Sequence, residues 1–439
     1  MLSISSIISK YKNNKIARDA GLYMLFNILQ KLVPFLILPI LSRVLSVEGM
    51  GYYIMYQTIF NVVLPIITLN ADSSILLNHY HLEKNDYKKY FSSGIILFLV
   101  NFIVLCIITA LTGPTIARFV NFDYRFFFLM YAGSLFYFFN RLNLNMLQIQ
   151  KKPIKYGIFS VSQTATENLL MLIFVFSFPY YSWKGAVFGF AIAQVLFFLY
   201  SFSVIYRNGL VNGGITKNYV IDALKVGWPL TLHHLGAWLG NLGSRFVVNS
   251  FIGTAAAGRF GIGVVFGTAM TLIQDSFNKA YTPNMLEKLR ELENESDPNV
   301  IAVKHRQIVK VTYLYNLILA IIAVFLSITG FYLIGPIFGS EYISSREYIF
   351  WAVFAAAFNG MYKMHVMYMF YKKNTQSIAS ITITTGILNV ILCILLINVN
   401  GMNAVGAAQS LMVTQLLAYL FSWYKSNKIY PMPWFKTSL

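Results

Sequence analysis

The segment SSGIILFLVNFIVLCIITALT, residues 92–112, contains no charged residue. As a helix it is long enough to cross the ~30 Å hydrocarbon layer of a bilayer. Apolar runs of similar length recur along the chain, and short polar segments separate them. Backbone groups in lipid must pair within the protein, and barrel strands would show shorter alternating segments. The runs therefore predict transmembrane helices.

The composition agrees with this prediction. Apolar residues make up 57% of the 439-residue chain and charged residues only 11%, whereas soluble domains carry about 25% charged residues. The net charge of +18 is sometimes a sign of nucleic-acid binding. In a polytopic membrane protein it is better explained by lysine and arginine collecting in cytoplasmic loops. We therefore expect an all-α polytopic membrane protein with no nucleic-acid partner.

Twelve spans are predicted. They lie at about residues 20–42, 51–74, 92–112, 125–147, 157–178, 185–206, 226–251, 258–282, 308–331, 347–371, 376–397 and 404–424. An even number places both termini on one side. Of the lysines and arginines, 24 fall in the termini and even-numbered loops, and only 6 fall in the odd-numbered loops. This bias predicts that both termini are cytoplasmic.

The chain is expected to form two six-helix bundles. Ser-Arg at the end of one span precedes a Gly-aromatic start to the next in SRVLSVEGMGYY (42–53) and again in SRFVVNSFIGTAAAGRF (244–260). Parallel repeats of this kind are common in transporters. The predicted parts are an interfacial segment 1–19, an N-lobe 20–206, a cytoplasmic linker 207–225, a C-lobe 226–424 and a cytoplasmic tail 425–439.

Residues 1–19 lack the apolar core and cleavage site of a signal peptide. They are expected on the membrane surface, with Ile4, Ile7, Ile8 and Tyr11 facing lipid. The charged stretch 283–307 is expected to be a surface helix broken near Pro298.

Charged residues inside hydrocarbon are costly, about 2.5–3.5 kcal/mol each on insertion scales, so they usually face a cavity or a partner. The stretch LHHLGAWLGNLGSRF (232–246) brings two histidines and an arginine into a span. The intramembrane bases Lys31, Arg141, Arg245 and Lys363 predict an anionic cargo. The candidates for coupling to an ion gradient are Glu167, His233, His234, Asp72 and Asp275, while His365 is a further titratable group.

Several of these residues have a structural alternative. Arg141 and Asp72 would lie near cytoplasmic ends and be interfacial or paired with a neighbour. Asp275 could pair with Lys279 one turn on, and Arg245 could snorkel to the outer interface. Lys31 has no acidic residue one turn away, so it needs a partner from another helix, water or an anionic cargo.

Four prolines inside spans and the Gly236–Gly240 pair predict bent and closely packed helices. Cys106 and Cys393 fall in apolar spans, so neither a disulfide nor a metal site is expected.

Three connections resemble those of the polysaccharide flippases, the O-antigen and capsule exporters of the multidrug/oligosaccharidyl-lipid/polysaccharide superfamily. In LSRVLSVEGMGYYIM (41–55), Arg43 precedes the Glu48 and Gly51 pattern of the first connection. LGAWLGNLGSRFVVNSFIGTAAAGRFGIG (235–263) is similar to the seventh-to-eighth connection, with Ser244 in place of the usual acid before Arg245. FGSEYISS (338–345) resembles an outer Gly-x-x-Tyr loop.

The resemblance implies a fold like that of the multidrug and toxin exporters (MATE), with two lobes around a V-shaped cationic cavity. It implies transport of an undecaprenyl-diphosphate-linked oligosaccharide across the bacterial inner membrane, for lipopolysaccharide or capsule biosynthesis. Membrane lipids, coupling H⁺ or Na⁺, and the pathway's polymerase and chain-length regulator are the implied partners. No cofactor is implied.

Two alternatives stay open. A cation-coupled multidrug exporter has the same fold but is expected to line its cavity with acids. A membrane-embedded O-antigen polymerase or ligase would be an enzyme with a large periplasmic loop, whereas the longest outer segment here is about 332–346. No phosphate-binding glycine loop is present, so we expect no ATP hydrolysis by this chain.

Overall fold

The computed structural model describes residues 15–79, 81–177, 182–211, 213–372 and 374–435, and these residues are almost entirely helical. Of the predicted interfacial segment, the part before Lys15 lies outside the described residues. In chain order the helices are α1 Lys15–Val44, α2 Val47–Thr68, α3 Ala71–Asn78, α4 Lys84–Val120, α5 Arg125–Ile149, α6 Pro153–Ser177, α7 Ser182–Arg207, α8 Lys217–Asn241, α9 Gly243–Phe251, α10 Thr254–Gly263, α11 Val265–Glu293, α12 Pro298–Phe338, α13 Arg346–Tyr371, α14 Thr375–Val399 and α15 Val405–Ile429. A 3₁₀ turn, Ser340–Ser345, lies between α12 and α13.

Each predicted span coincides with one helix or with two consecutive helices. Three spans are broken, at α2–α3, α8–α9 and α10–α11. Within the described ranges, nine helical segments are long and apolar enough to cross a membrane. The helices α5, α8 and α13 are long enough but more polar. The protein is therefore a multi-pass membrane protein. Arg141, His233, His234 and Lys363 lie on the three helices that fall outside the nine apolar segments.

The stretch 283–307 is helical with a break before Pro298, as the sequence predicted, and its two parts are extensions of α11 and α12. α11 runs on to Glu293 and α12 begins at Pro298, so only a short connection is non-helical. Asp297 caps α12 by accepting a hydrogen bond from the Asn299 N–H at 2.8 Å. Glu293 accepts hydrogen bonds from the Tyr371 hydroxyl, at 2.6 Å, and from the Lys372 ammonium. The extension of α11 is therefore fastened to the end of α13.

The chain divides into two compact units, one up to Leu235 and one from Gly236. In the first unit Phe98 of α4 stacks on Phe138 of α5 with 4.0 Å between ring centroids. The same unit contains a buried polar network, in which Asn140 and Gln163 both donate to the Gln194 amide oxygen. Such groups must be paired when buried, so the network fixes α5, α6 and α7 against one another.

The second unit has a comparable polar centre on Asn389 of α14. Its amide oxygen accepts from the Ser410 hydroxyl at 3.1 Å, and its amide nitrogen donates to the Leu239 carbonyl at 3.0 Å. Close by, Gly386 packs against the backbone of Gly236 and Gly240. The small-residue spacing in α8 therefore serves close packing against α14. Cys106 and Cys393 are both free thiols.

Candidate functional site

In the first unit, Arg141 and Asp72 form an ion pair. The Arg141 Nη2 atom lies 3.5 Å from the Asp72 Oδ2 atom, and the side chains are 44% and 9% exposed. Asn145, one helical turn after Arg141, donates to the Asp72 backbone carbonyl at 3.0 Å. This arrangement is the paired alternative left open for Arg141 and Asp72. The pair neutralises part of the cationic charge, while nearly half of the arginine surface stays accessible.

The break between α2 and α3 positions Asp72. Leu69 and Asn70 both adopt left-handed backbone conformations, with φ of 47° and 49°. This ends α2 and restarts the helix at Ala71, which puts Asp72 in the first turn of α3, where a carboxylate is favoured by the helix dipole.

The backbone groups released by this break are paired by two other helices. Asn101 of α4 donates to the Ile66 and Ile67 carbonyls at 2.8 and 2.9 Å. The Thr231 hydroxyl of α8 donates to the Pro65 carbonyl at 3.2 Å and accepts from the Asn70 side-chain amide at 2.9 Å. Unpaired backbone groups at membrane depth cost several kcal/mol, so these side chains make the break possible.

His234 lies within electrostatic range of both Asp72 and Arg141. His233 and His234 are exposed residues of α8, with ring centroids 6.1 Å apart. The structure thus brings together Asp72, Arg141 and His234 from three helices that are far apart in sequence.

Tyrosines that were not singled out from the sequence extend this cluster. Tyr137, one turn before Arg141, interacts electrostatically with Arg141, Asp72 and Glu167. Glu167 of α6 also interacts with Tyr53 and Tyr56 of α2. Among the described residues Glu167 has no ion-pair or hydrogen-bond partner for its carboxyl group. A sequence rich in tyrosine offers little signal for these particular positions, because 29 tyrosines are present.

Lys31 lies on α1 and is exposed. α1 packs along α6, where Tyr23 contacts Tyr156 edge-on at 5.1 Å and Phe26 fills the space over Gly157. Lys31 and Glu167 are thus carried by two helices that pack together.

In the second unit, Lys363 of α13 donates to the Asp275 Oδ1 atom of α11 at 2.7 Å. The two side chains are 29% and 26% exposed. Lys363 is thus a partner of Asp275 from another helix, and the pairing of Asp275 with Lys279 suggested by the sequence stays a prediction. The Lys279 side chain lies outside the described part of the chain. The pairing reduces the charge that Lys363 can offer to a cargo.

Arg245 differs from the other bases. It lies in the first turn of α9, just after the break at Leu242, and is partly buried. Within the described ranges no carboxylate lies within 4.0 Å of its guanidinium group. Its neighbour Ser244 is fully buried and hydrogen-bonded to Asn389 at 3.0 Å, so the backbone that carries Arg245 is held firmly.

No group of three or more histidine, cysteine, aspartate or glutamate residues is close enough to hold a metal ion in the part of the chain that was searched. The titratable residues instead form two pairs and a loose cluster. The arginine and lysine side chains of this arrangement can bind an anion, and its carboxyl and imidazole groups can take up and release a proton.

Comparison with solved structures defines the class of the protein. The lipid II flippase MurJ in an inward closed conformation superimposes with a TM-score of 0.68 at 15% identity, covering 91% of this chain and 87% of that one. An inward-facing multidrug resistance MATE transporter of the MOP superfamily gives 0.66 at 14% identity, covering 93% of this chain and 95% of that one. The fold is thus that of the multidrug/oligosaccharidyl-lipid/polysaccharide exporters, as the sequence motifs indicated.

Sequence comparison then gives the family. A model described as polysaccharide biosynthesis protein matches residues 16–287, more than half of the chain. A protein of the Lsg locus of Haemophilus influenzae is 23% identical over 380 residues, which are 86% of this chain and 90% of that protein. The chain belongs to the polysaccharide biosynthesis protein family.

Proposed function

We propose that this protein is a flippase for an undecaprenyl-diphosphate-linked oligosaccharide, an O-antigen or capsule repeat unit. It moves this lipid from the cytoplasmic to the periplasmic leaflet of the bacterial inner membrane. The family assignment and the structural likeness to a lipid II flippase support this class of cargo.

The observation that carries the proposal is Arg245. A diphosphate in a water-poor environment needs cationic donors in place of its hydration shell, and a guanidinium group can bind two of its oxygens at once. Arg245 is the intramembrane base for which the described residues supply no carboxylate. Arg141 and Lys363 act as secondary contacts, since their aspartate partners compete with the cargo. Lys31 is a further cationic contact on α1.

The proposed topology has twelve spans in two six-helix bundles, with both termini in the cytoplasm. The helices α5, α8 and α13 face the polar route in this arrangement, because their composition is unfavourable for contact with lipid. Undecaprenyl chains stay in the bilayer while the sugar and the diphosphate follow the route. The pathway's polymerase and chain-length regulator would act on the delivered product.

Glu167 is the first candidate for coupling transport to H⁺ or Na⁺. A carboxyl group without a cationic partner among the described residues can take up and release a cation. His233 and His234 are secondary candidates. Asp72 and Asp275 are weaker ones, because each is already engaged by a basic residue. Alternating access driven by an ion gradient follows from this assignment.

A strain that lacks its polysaccharide flippase provides the test. The Arg245→Gln variant should abolish surface polysaccharide at an unchanged membrane level of the protein, and Arg245→Lys should restore part of it. Arg207→Gln, which removes an exposed arginine at the end of α7, is the matched control and should behave like wild type. Wild-type polysaccharide from Arg245→Gln would refute the cationic site.

The multidrug exporter is a second candidate, favoured by the acidic Glu167 and by the likeness to MATE transporters. Efflux of a cationic dye that depends on Glu167 but not on Arg245 would support it over the flippase. A polymerase or ligase receives no such support. Such an enzyme is expected to have a large outer loop, whereas the longest predicted outer segment, 332–346, consists mainly of the end of α12 and the 3₁₀ turn.

A further inference from the structure

A cavity of about 450 Å³ opens between the beginnings of α1 and α6, and none of the candidate site residues lines it. Arg18, Asp19 and Leu22 line it from α1, and residues 151–155 line it from the α5–α6 connection and the first turn of α6. This basic cleft thus contains four basic side chains and one acidic side chain. Its volume is sufficient for a phosphate-bearing headgroup.

The lysines of the basic cleft are available to a ligand. Lys151, Lys152 and Lys155 are exposed, and within the described ranges none has a carboxylate within 4.0 Å. Lys152 donates to the Gln150 amide oxygen at 2.8 Å. The acidic residue, Asp19, is 18% exposed and lies 3.8 Å from the neighbouring Arg18 guanidinium. The net charge of the lining is therefore positive.

The backbone holds these lysines in a short, fixed turn. Lys151 has a left-handed conformation, with φ of 53°. The N–H groups of Lys151 and Lys152 donate back to the Gln148 and Leu147 carbonyls, both at 3.0 Å. A left-handed residue with a side chain costs roughly 1–2 kcal/mol, and glycine usually takes this position after a helix.

The surface below the cleft is apolar. Ile154 and Ile158, one turn apart on α6, are 56% and 59% exposed, and Leu25 of α1 is 50% exposed. In a membrane protein such side chains face acyl chains. The basic cleft therefore lies where charged surface meets lipid-facing surface, with a place for a headgroup above and for acyl chains beneath.

We propose that the basic cleft binds an anionic glycerophospholipid of the cytoplasmic leaflet. Basic pockets between membrane helices on the cytoplasmic side bind anionic headgroups, and each lysine near such a surface contributes about 1 kcal/mol. The three lysines lie in a loop that the charge bias assigns to the cytoplasm. The inference does not depend on the transported cargo.

Photocrosslinking tests the proposal. The full-length protein is placed in phosphatidylcholine vesicles that contain a photoactivatable tracer, either phosphatidylglycerol or phosphatidylcholine. Peptides that cover residues 18–29 and 151–158 should be labelled by the phosphatidylglycerol tracer well above the phosphatidylcholine tracer. Equal labelling by the two tracers would overturn the proposal.

Charge variants locate the site. Changing Lys151, Lys152 and Lys155 together to glutamine should lower the phosphatidylglycerol labelling by roughly a hundredfold. Changing Lys304, Lys310 and Lys425 to glutamine removes the same charge elsewhere and should lower it by less than about twofold. Equal losses in the two triple variants would refute the site. If the cleft triple variant does not fold, Lys151→Gly removes one charge while relaxing the backbone, and it should still lower labelling.

A gain of binding is also expected, and misfolding cannot produce it. Asp19→Asn removes the acidic group of the basic cleft and should raise phosphatidylglycerol labelling, whereas unchanged labelling would contradict the electrostatic argument. Undecaprenyl phosphate that displaces the tracer would assign the cleft to the cargo and overturn the proposal. Arg245→Gln should leave the labelling unchanged, so failure of the flippase assignment can be recognised separately.

Discussion

At the scale of single residues, Arg141 and Lys363 each lie within ion-pair distance of an aspartate on another helix, Asp72 and Asp275. Removing one partner leaves the other charge without compensation, and this is more damaging than replacing both. The side chains are partly exposed, so solvent screening reduces the effect. Each ion pair is therefore expected to stabilise its own unit, and loss of one charged partner should lower that stability.

A double-mutant cycle on Asp275 and Lys363 tests this connection. Asp275→Asn alone and Lys363→Gln alone should each destabilise the protein by about 1–2 kcal/mol, whereas the double variant should cost clearly less than their sum. Thermal unfolding in detergent gives the stability of the wild type, the two single variants and the double variant. Strictly additive effects would show that the 2.7 Å contact contributes nothing in solution.

The carboxyl group of Glu293 gives a pH prediction. Hydrogen bonds from Lys372 and Tyr371 lower its pKa below the usual value of 4.5. A lowered folded-state pKa means that the contact contributes fully above about pH 4.5 and is lost as the pH falls through the folded-state pKa. The difference in unfolding temperature between wild type and Glu293→Gln should therefore be constant near neutral pH and disappear in acid. A difference that grows on acidification would contradict the assignment.

At this scale the sequence identified the charged residues but not all of their partners. For Arg141 and Asp72 the sequence offers an interfacial or a paired role, because both are expected near cytoplasmic ends, but it does not name them as each other's partner. It does not indicate Lys363 as a partner of Asp275 either, since Lys363 lies on another helix. Contacts between distant segments depend on how helices pack, which a single sequence does not specify.

At the scale of elements, the break between α2 and α3 depends on close contact with α8. Gly227 of α8 lies against the Leu69 carbonyl oxygen, and a β-carbon there would overlap that atom. The proline and glycine content of the spans predicted bends, but the left-handed conformation of Leu69 had no sequence signal. A leucine rarely adopts this conformation, and here Asn101 and Thr231 make it tolerable by donating to the Ile66 and Pro65 carbonyls at the end of α2.

Alanine substitutions at Gly227 and at Gly21 test whether the lack of space at Gly227 matters for stability. Gly227→Ala should destabilise the first unit by about 1–3 kcal/mol, because the backbone of Leu69 has no room to move away. Gly21→Ala, in a helical position where a β-carbon meets nothing within 4 Å, should be neutral or stabilising by about 0.5–1 kcal/mol. Unfolding of the two variants side by side provides the measurement. Equal stability would show that α8 does not approach the break in solution.

At the scale of the whole molecule, helix content and the order of the spans followed from apolar runs, because membrane insertion depends on local composition. The grouping of residues into units depends on packing. The division between the compact units falls within α8, at Leu235. The lobe boundary in the linker 207–225 stays a prediction, and α8 begins inside that segment, at Lys217.

Reporter fusions test the proposed sidedness of the whole chain. Alkaline phosphatase fused after Phe435 should be inactive, and a fusion at Asn121, between α4 and α5, should be active. The reason is that 24 basic residues lie in the segments assigned to the cytoplasm and 6 in those assigned to the periplasm. Activity at the C-terminal position would reverse the topology and the direction of transport with it.

The polar helices α5, α8 and α13 also bear on how the protein is made. A segment leaves the translocon for lipid when it is sufficiently apolar. The helices α5, α8 and α13 are not among the segments that are apolar enough to cross a membrane by composition alone. Each would then remain at the lateral gate until a following, more apolar helix emerges from the ribosome and accompanies it into the bilayer. The polar residues of these helices, among them Arg141 and Lys363, would thereby set the order in which the nascent chain enters the membrane.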